Sequence, residues 1–163
     1  PPRSTPSNSS AASDVYKRQQ YGLSIRDGKI YCDKIMIPAI GISRVAGVDR
    51  RIVTYTIKMI ENNPELRIIF RQLKPAGASL KEVARYLNLG VVEITPVDAR
   101  MPGILSSSAS LLAEKGISIR QAIVDDPELT PEPKLTLIAE KKIPGEIIPK
   151  LLKIKGIQKV SVY

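Results

Sequence analysis

Between Tyr21 and Pro38 the chain reads YGLSIRDGKIYCDKIMIP, short runs rich in Ile and Tyr on either side of Asp27-Gly28. A two-residue type I′ turn needs positive φ at both central positions, which Gly tolerates and Asp accepts, so the pattern predicts a β-hairpin. Over residues 39–63, Val48, Ile52, Val53, Ile57 and Ile60 recur at helical spacing, with Asp49 placed to cap the start and Pro64 ending the run. PELRIIFRQLKPAG (64–77) predicts a further short helix with Pro64 in its first turn. SLKEVARYLNLG (79–90) predicts another: Ser79 and Glu82 make a capping box, Leu80, Val83, Ala84 and Leu87 an apolar stripe, and Gly90 the stop.

From Gly90 the texture changes. VVEIT (91–95), ISIRQAIV (117–124), KLTLIA (134–139) and IQKVSVY (157–163) read as strands. PGILSSSASLLAEKG (102–116) and PGEIIPKLLKIKG (144–156) read as helices, with Pro-Gly at the entry and Gly at the exit. The order is β-α-β-β-α-β, with the loop DDPELTPEP (125–133) between the two middle strands. An internal echo supports it: Pro102-Gly103 … Lys115-Gly116-Ile117 is answered by Pro144-Gly145 … Lys155-Gly156-Ile157. Each half is one helix leading into a strand, as the two βαβ units of a ferredoxin-like sheet require. Pro149 is tolerated if its helix begins near Glu146. The fold expected is therefore α+β. A helix-turn-helix-like module with a β-hairpin spans residues 20–89, and a ferredoxin-like domain spans 90–163.

Residues 1–19 fit neither pattern. SSAASDVYKRQ (9–19) has no apolar period, no cap before a hydrophobic run and no turn chemistry. It resembles one translated frame of a sequencing-library adapter, so Pro1–Gln19 is read as a non-native, disordered segment and set aside. On that reading the natural sequence begins in mid-phrase at Gln20 or Tyr21, with its own N-terminus missing.

Charge divides the rest. Of the net +9, residues 20–89 carry +6 (12 Lys/Arg against 6 Asp/Glu) and residues 90–163 only +1 (10 against 9). That asymmetry points to an anionic partner for the N-terminal half. Cys32 is the only cysteine and the chain has no histidine. Disulfides, Cys/His zinc sites, His-based triads and imidazole acid–base catalysis are thereby excluded. No P-loop, dinucleotide fingerprint or clustered carboxylate pair is present, so neither an enzyme nor a cofactor is expected. No apolar run approaches the ~18 residues of a membrane span, and a lone cysteine fits the reducing cytoplasm.

Two segments carry candidate chemistry. ISRVAGVDRRIVTYTIKMI (42–60) has a small residue, Ser43, where two helices would cross, Gly47 at a turn, and Val48, Val53 and Ile57 as locking apolar positions. Its second helix would present Arg50, Arg51, Thr54, Tyr55 and Lys58 outward, with Arg44 on the first. Arg and Lys suit phosphates and guanine edges, and the hydroxyls suit phosphate oxygens. Two readings stand side by side here: contact with nucleic acid, double-stranded DNA or RNA, or a helical hairpin used for packing and protein contact. LKEVARYLNLGV (80–91) has a similar first half but runs on into a strand, so no recognition helix follows it.

The second segment is VDARMPGILSSSASLLAEKGISI (97–119). A strand-to-helix loop with Gly103 at the helix start exposes unpaired backbone N–H groups to which a carboxylate can come close. Asp98 is available for an ammonium group. A site with both would suit a free amino acid, while a plain Pro-Gly helix entry explains the same spacing.

Pro102-Gly103-Ile104-Leu105, Glu114-Lys115-Gly116-Ile117 and Lys155-Gly156-Ile157 resemble an ACT domain, the small module that binds amino acids and similar effectors. YGLSIRDGKIYC, GVDRRIV, DDPELTPEPKL and PGEIIPKLLKIKGI together resemble a small archaeal family described as predicted regulators of amino-acid metabolism containing an ACT domain. The resemblance covers essentially all of 20–163. It implies an amino-acid-responsive regulator that homodimerises through its ACT domain, and as an alternative a regulatory subunit that binds a biosynthetic enzyme rather than DNA. It also implies a ligand site at Asp98, Met101, Pro102, Gly103, Ile104, Leu105, Ser118 and Ile119, the last two expected beside Gly103. Two positions depart from the pattern: Arg100 stands where many ACT domains have Asp, and Ser118 where they often have Asn.

Overall fold

The computed structural model describes residues 21–163; the expectations for Pro1–Gln19 lie outside them. The described chain is mixed α+β, with five α-helices and two antiparallel sheets, and it divides into two compact units between Gly77 and Ala78.

In the first unit, β1 (Leu23–Arg26), β2 (Lys29–Cys32) and β3 (Ile35–Ile37) form a meander in the order β1-β2-β3. Arg26 pairs with Lys29, leaving Asp27 and Gly28 as the two-residue turn, with φ of 51° and 72°. Both values are positive, as a type I′ turn demands. The Gly28 N–H donates to Glu61 at 2.6 Å, tying the turn to the second helix. β3 was not anticipated; its three residues pair with β2 through Ile30–Ile37 and Cys32–Ile35.

The helices are α1 (Ala39–Ala46), α2 (Arg50–Asn62) and α3 (Pro64–Gln72). α1 ends on Gly47 in the left-handed region, and the Val48 N–H returns to the Ser43 carbonyl at 3.0 Å. Asp49 caps α2 by accepting from the Arg51 N–H at 2.7 Å. Asn63 caps α3 by accepting from the N–H groups of Glu65 and Leu66, with Pro64 at the first helical position. The stripe read from sequence faces the sheet: Val53, Ile57 and Ile60 are buried with Leu23, Ile25, Ile30 and Phe70. Ser43 is buried and satisfies its hydroxyl on the Ile40 carbonyl.

The second unit contains β4 (Gly90–Pro96), α4 (Ile104–Glu114), β5 (Ile119–Val124), β6 (Leu135–Ala139), α5 (Ile147–Leu152) and β7 (Ile157–Val162). Its sheet has the order β5-β6-β4-β7 with every neighbour antiparallel. Strands joined by a helix are thus never adjacent: β6 separates β4 from β5, and β4 separates β6 from β7. Alternation sends Val92, Ile94, Leu135, Leu137 and Ala139 to one face, where Ile104 and Leu112 of α4 and Ile147 and Leu151 of α5 close the core. α5 begins at Ile147 after Glu146, so Pro149 falls in the first turn, where its missing N–H has no intrahelical partner to lose.

The segment 78–89 corrects two expectations. It belongs to the second unit, not to the N-terminal module: Leu80, Ala84 and Leu89 pack on Val91 and Ile138, on the sheet face away from the helices. Nor is it an α-helix. It forms turns and a short 3₁₀ helix, Ala84–Leu87, closed by Asn88 in the left-handed region. The Gln121 side chain takes the Leu80 N–H at 2.9 Å and donates to the Ala78 carbonyl at 2.8 Å, while Ser79 accepts only from Lys81. These long-range partners replace the capping box, a tertiary override of a helical pattern.

Candidate functional site

On α2 the five outward residues read from sequence come together. Arg50, Arg51, Thr54, Tyr55 and Lys58, with Asp49, line one shallow depression of about 570 Å³. Their spacing of one, three and four residues puts them on a single helical face opposite Val53, Ile57 and Ile60. None of the ion pairs among the described residues involves Arg50, Arg51 or Lys58. Asp49, the one acid here, already accepts from the Arg51 N–H, and the Thr54 hydroxyl donates to the Arg50 carbonyl at 3.2 Å. Arg44 is exposed on α1 and is not part of this depression.

At the start of α4 lies a small, mostly apolar cavity of about 150 Å³. Met101, Gly103, Ile104 and Leu105, four of the residues named from the sequence, line it, with Pro102 exposed within the same entry. Gly103 holds φ 94° at the helix N-cap, no side chain caps α4, and a Cβ there would meet open space. The first N–H groups of α4 therefore have no intrahelical acceptor. Met101 lies over Gly156, where a Cβ would collide with its sulfur, which gives the Lys155-Gly156-Ile157 motif a packing role.

Three ligand expectations are corrected. Asp98 does not line the cavity; its carboxylate accepts from the Arg100 N–H at 2.9 Å and fixes the loop as an Asx turn. Ser118 and Ile119 are not beside Gly103. Ile119 pairs with Ala139, which pairs with Gly90, whereas Gly103 follows the other end of β4. The length of the seven-residue β4, roughly 20 Å, separates those ends. At Gly103 itself a β-branched residue would be strained by the positive φ, although a Cβ there would meet open space.

In place of these residues, Val124, Asp125, Lys134 and Leu135 line the cavity. Val124 pairs with Leu135, the Asp125 N–H donates to the Lys134 carbonyl at 3.0 Å, and the Lys134 N–H donates to Asp125 at 3.1 Å. Sequence reasoning missed them because it took the strand after α4 to lie next to β4. The usable signal was the Asp125…Lys134 pair flanking the Pro-rich loop, which an antiparallel β5–β6 hairpin must bring to the end of the sheet nearest Pro96. Arg100 and Glu128 form an ion pair from the β4–α4 loop to that Pro-rich loop.

Comparison with protein-family models finds no match, and a search of curated proteins finds none either.

Proposed function

We propose that the chain is an amino-acid-responsive, non-enzymatic regulator of amino-acid metabolism, in which residues 78–163 are an ACT-type, ferredoxin-like sensor and residues 21–77 a helix-turn-helix-like module that contacts double-stranded DNA. The observation that carries this reading is the strand order β5-β6-β4-β7 with an apolar cavity at the N-terminus of α4. A carboxylate would sit on the free N–H groups after Gly103, and Asp125 would take the ammonium. At about 150 Å³ the cavity holds roughly five waters at about 30 Å³ each. It suits a small apolar side chain, and a second copy paired through the sensor would complete the enclosure. Differential affinity for two arrangements of that cytoplasmic dimer would be the switch.

A thermal-shift series with the twenty amino acids tests the sensor. An apolar amino acid is expected to raise the melting temperature of residues 78–163, by about 2.7 kcal/mol of stabilisation at a hundredfold excess over Kd. Asp125→Asn should weaken that ligand by about 1.5–3 kcal/mol, and Asp98→Ala should leave it unchanged. Equal losses from both variants, or no shift with any amino acid, would overturn the site.

For the basic face, replacing Arg50 and Arg51 with Ala should weaken duplex DNA binding and reduce the slope of log K against log salt by about 1–2 units. An unchanged slope sinks the DNA assignment. One observation favours the alternative, docking on a biosynthetic enzyme: Ile35, Met36, Ile40 and Val45 of β3 and α1 are apolar and exposed. Co-purification with an enzyme, lost on Met36→Glu, would support that reading.

A further inference from the structure

A larger cavity, about 740 Å³, opens in the second unit at the Gly90 end of the sheet, far from Gly103 along β4. Its volume falls in the range of about 300–1,000 Å³ typical of small-molecule sites. Ala84, Leu89, Val91 and Ile143 give it a buried apolar floor. Lys81 and Arg85 rise from the 78–89 segment and Lys142 from the loop after β6, against one acid in the lining, Glu82.

The walls are held in place. Lys81 donates to the buried Glu93 at 2.8 Å, which offsets its charge and fixes its stem. The Arg85 guanidinium lies 4.5 Å from the centre of the Tyr86 ring. Between the walls, a Cβ on Gly90 would come within 2.5 Å of the Lys141 carbonyl oxygen and 2.8 Å of the Ile143 nitrogen. The strand start and the 141–143 loop are thus packed backbone to backbone. A backbone frame packed in this way loses little freedom on binding. The 78–89 segment also has a helical sequence that is opened into turns here, the kind of local inconsistency that gathers at functional sites.

We infer that this groove binds a small organic anion with a flat apolar body, its charged end between Arg85 and Lys142 and its body on Leu89 and Val91. With Lys81 already committed to Glu93, those two cations are the lining charges left to meet an anion. Tyr163, at the rim, offers an aromatic ring to the flat part of such a ligand.

The probe is 8-anilinonaphthalene-1-sulfonate, read by fluorescence on the full chain, beside the uncharged N-phenyl-1-naphthylamine, which has the same body without the sulfonate. One saturable site for the sulfonate is expected, at least tenfold tighter than for the neutral analogue. Arg85→Gln with Lys142→Gln should weaken it at least tenfold and Arg85→Lys much less. Lys115→Gln with Lys155→Gln should not change it. All these side chains are solvent-facing, and each variant's melting curve reports its fold independently. Equal affinity for the two probes, or sulfonate binding unaffected by the Arg85/Lys142 pair, overturns the proposal. Neither result bears on the α4 cavity, which shares no lining residue with this groove.

Discussion

Replacing Phe70 with alanine will unfold residues 21–77 under conditions in which 78–163 stay folded. Phe70 is the only phenylalanine of the chain and is fully buried, packed from α3 among Leu23, Ile25 and Ile30 of the sheet and Val53, Ile57 and Ile60 of α2. Truncating a buried Phe costs about 3–5 kcal/mol, through lost transfer energy and the cavity left behind. A unit of this size has a total stability of roughly 3–9 kcal/mol at 0.05–0.15 kcal/mol per residue. Most of that reserve would go in one substitution. Hydrogen exchange is the measurement: amides of β1, β2 and α2 should lose protection while those of β4 and β6 keep theirs. Parallel loss in both units would mean that they unfold as one cooperative body.

Glu93→Gln is expected to destabilise residues 78–163 at neutral pH and to leave them nearly unchanged in acid. Glu93 sits on the sheet face away from the helices, opposite Thr136 and Ser161, with its side chain 10% exposed. Burial by itself pushes its carboxyl upward. Hydrogen bonds from Lys81 and Tyr163, with the charges of Lys81 and Lys134, outweigh burial and hold it below the usual carboxylate range. The same contact, partly offset by desolvation, raises Lys81. Because the folded Glu93 titrates below the unfolded one, its contribution is complete above the ordinary carboxylate range near pH 4.3. It is lost as the pH falls through the lower folded value. Removing one partner of a fully buried pair costs about 3–5 kcal/mol. Lys81 is about a third exposed and keeps water, so about 1–3 kcal/mol is expected here. Melting temperature against pH would show the two curves converging below pH 4; a constant separation from pH 7 to 3 would assign the loss to packing instead.

The features legible in the sequence were those in which local chemistry and tertiary structure agree. Asp27-Gly28 needs no distant partner to turn, Asp49 caps through a hydrogen bond to backbone two residues on, and the Val53/Ile57/Ile60 stripe is set by helical period alone. The order of elements after Gly90 followed from the same signals. What failed depended on which strands become neighbours. Gln121 and Glu93, far along the chain from Leu80 and Lys81, decide that 79–89 is not a helix. Likewise β6, inserted between β4 and β5, takes Ser118 and Ile119 away from Gly103 and brings Val124, Asp125 and Lys134 to it. Strand order is not written in any single window of sequence, so only the α4-side lining of the cavity was legible, whereas five residues on one face of α2 followed from helical period and Arg44, on another helix, did not join them.

The three-residue β3 has one consequence for the protein at high concentration. As the outer strand of its sheet it offers unpaired backbone groups beside Ile35 and Met36, 69% and 53% exposed, the makings of strand-by-strand self-association. Lys34 precedes the strand and Pro38 follows it at once, one bringing charge and the other lacking the N–H a growing ladder would need. With so short an exposed edge between two such guards, an added strand finds little length to pair with. Protection of this edge thus rests on two residues that lie outside the core of the unit.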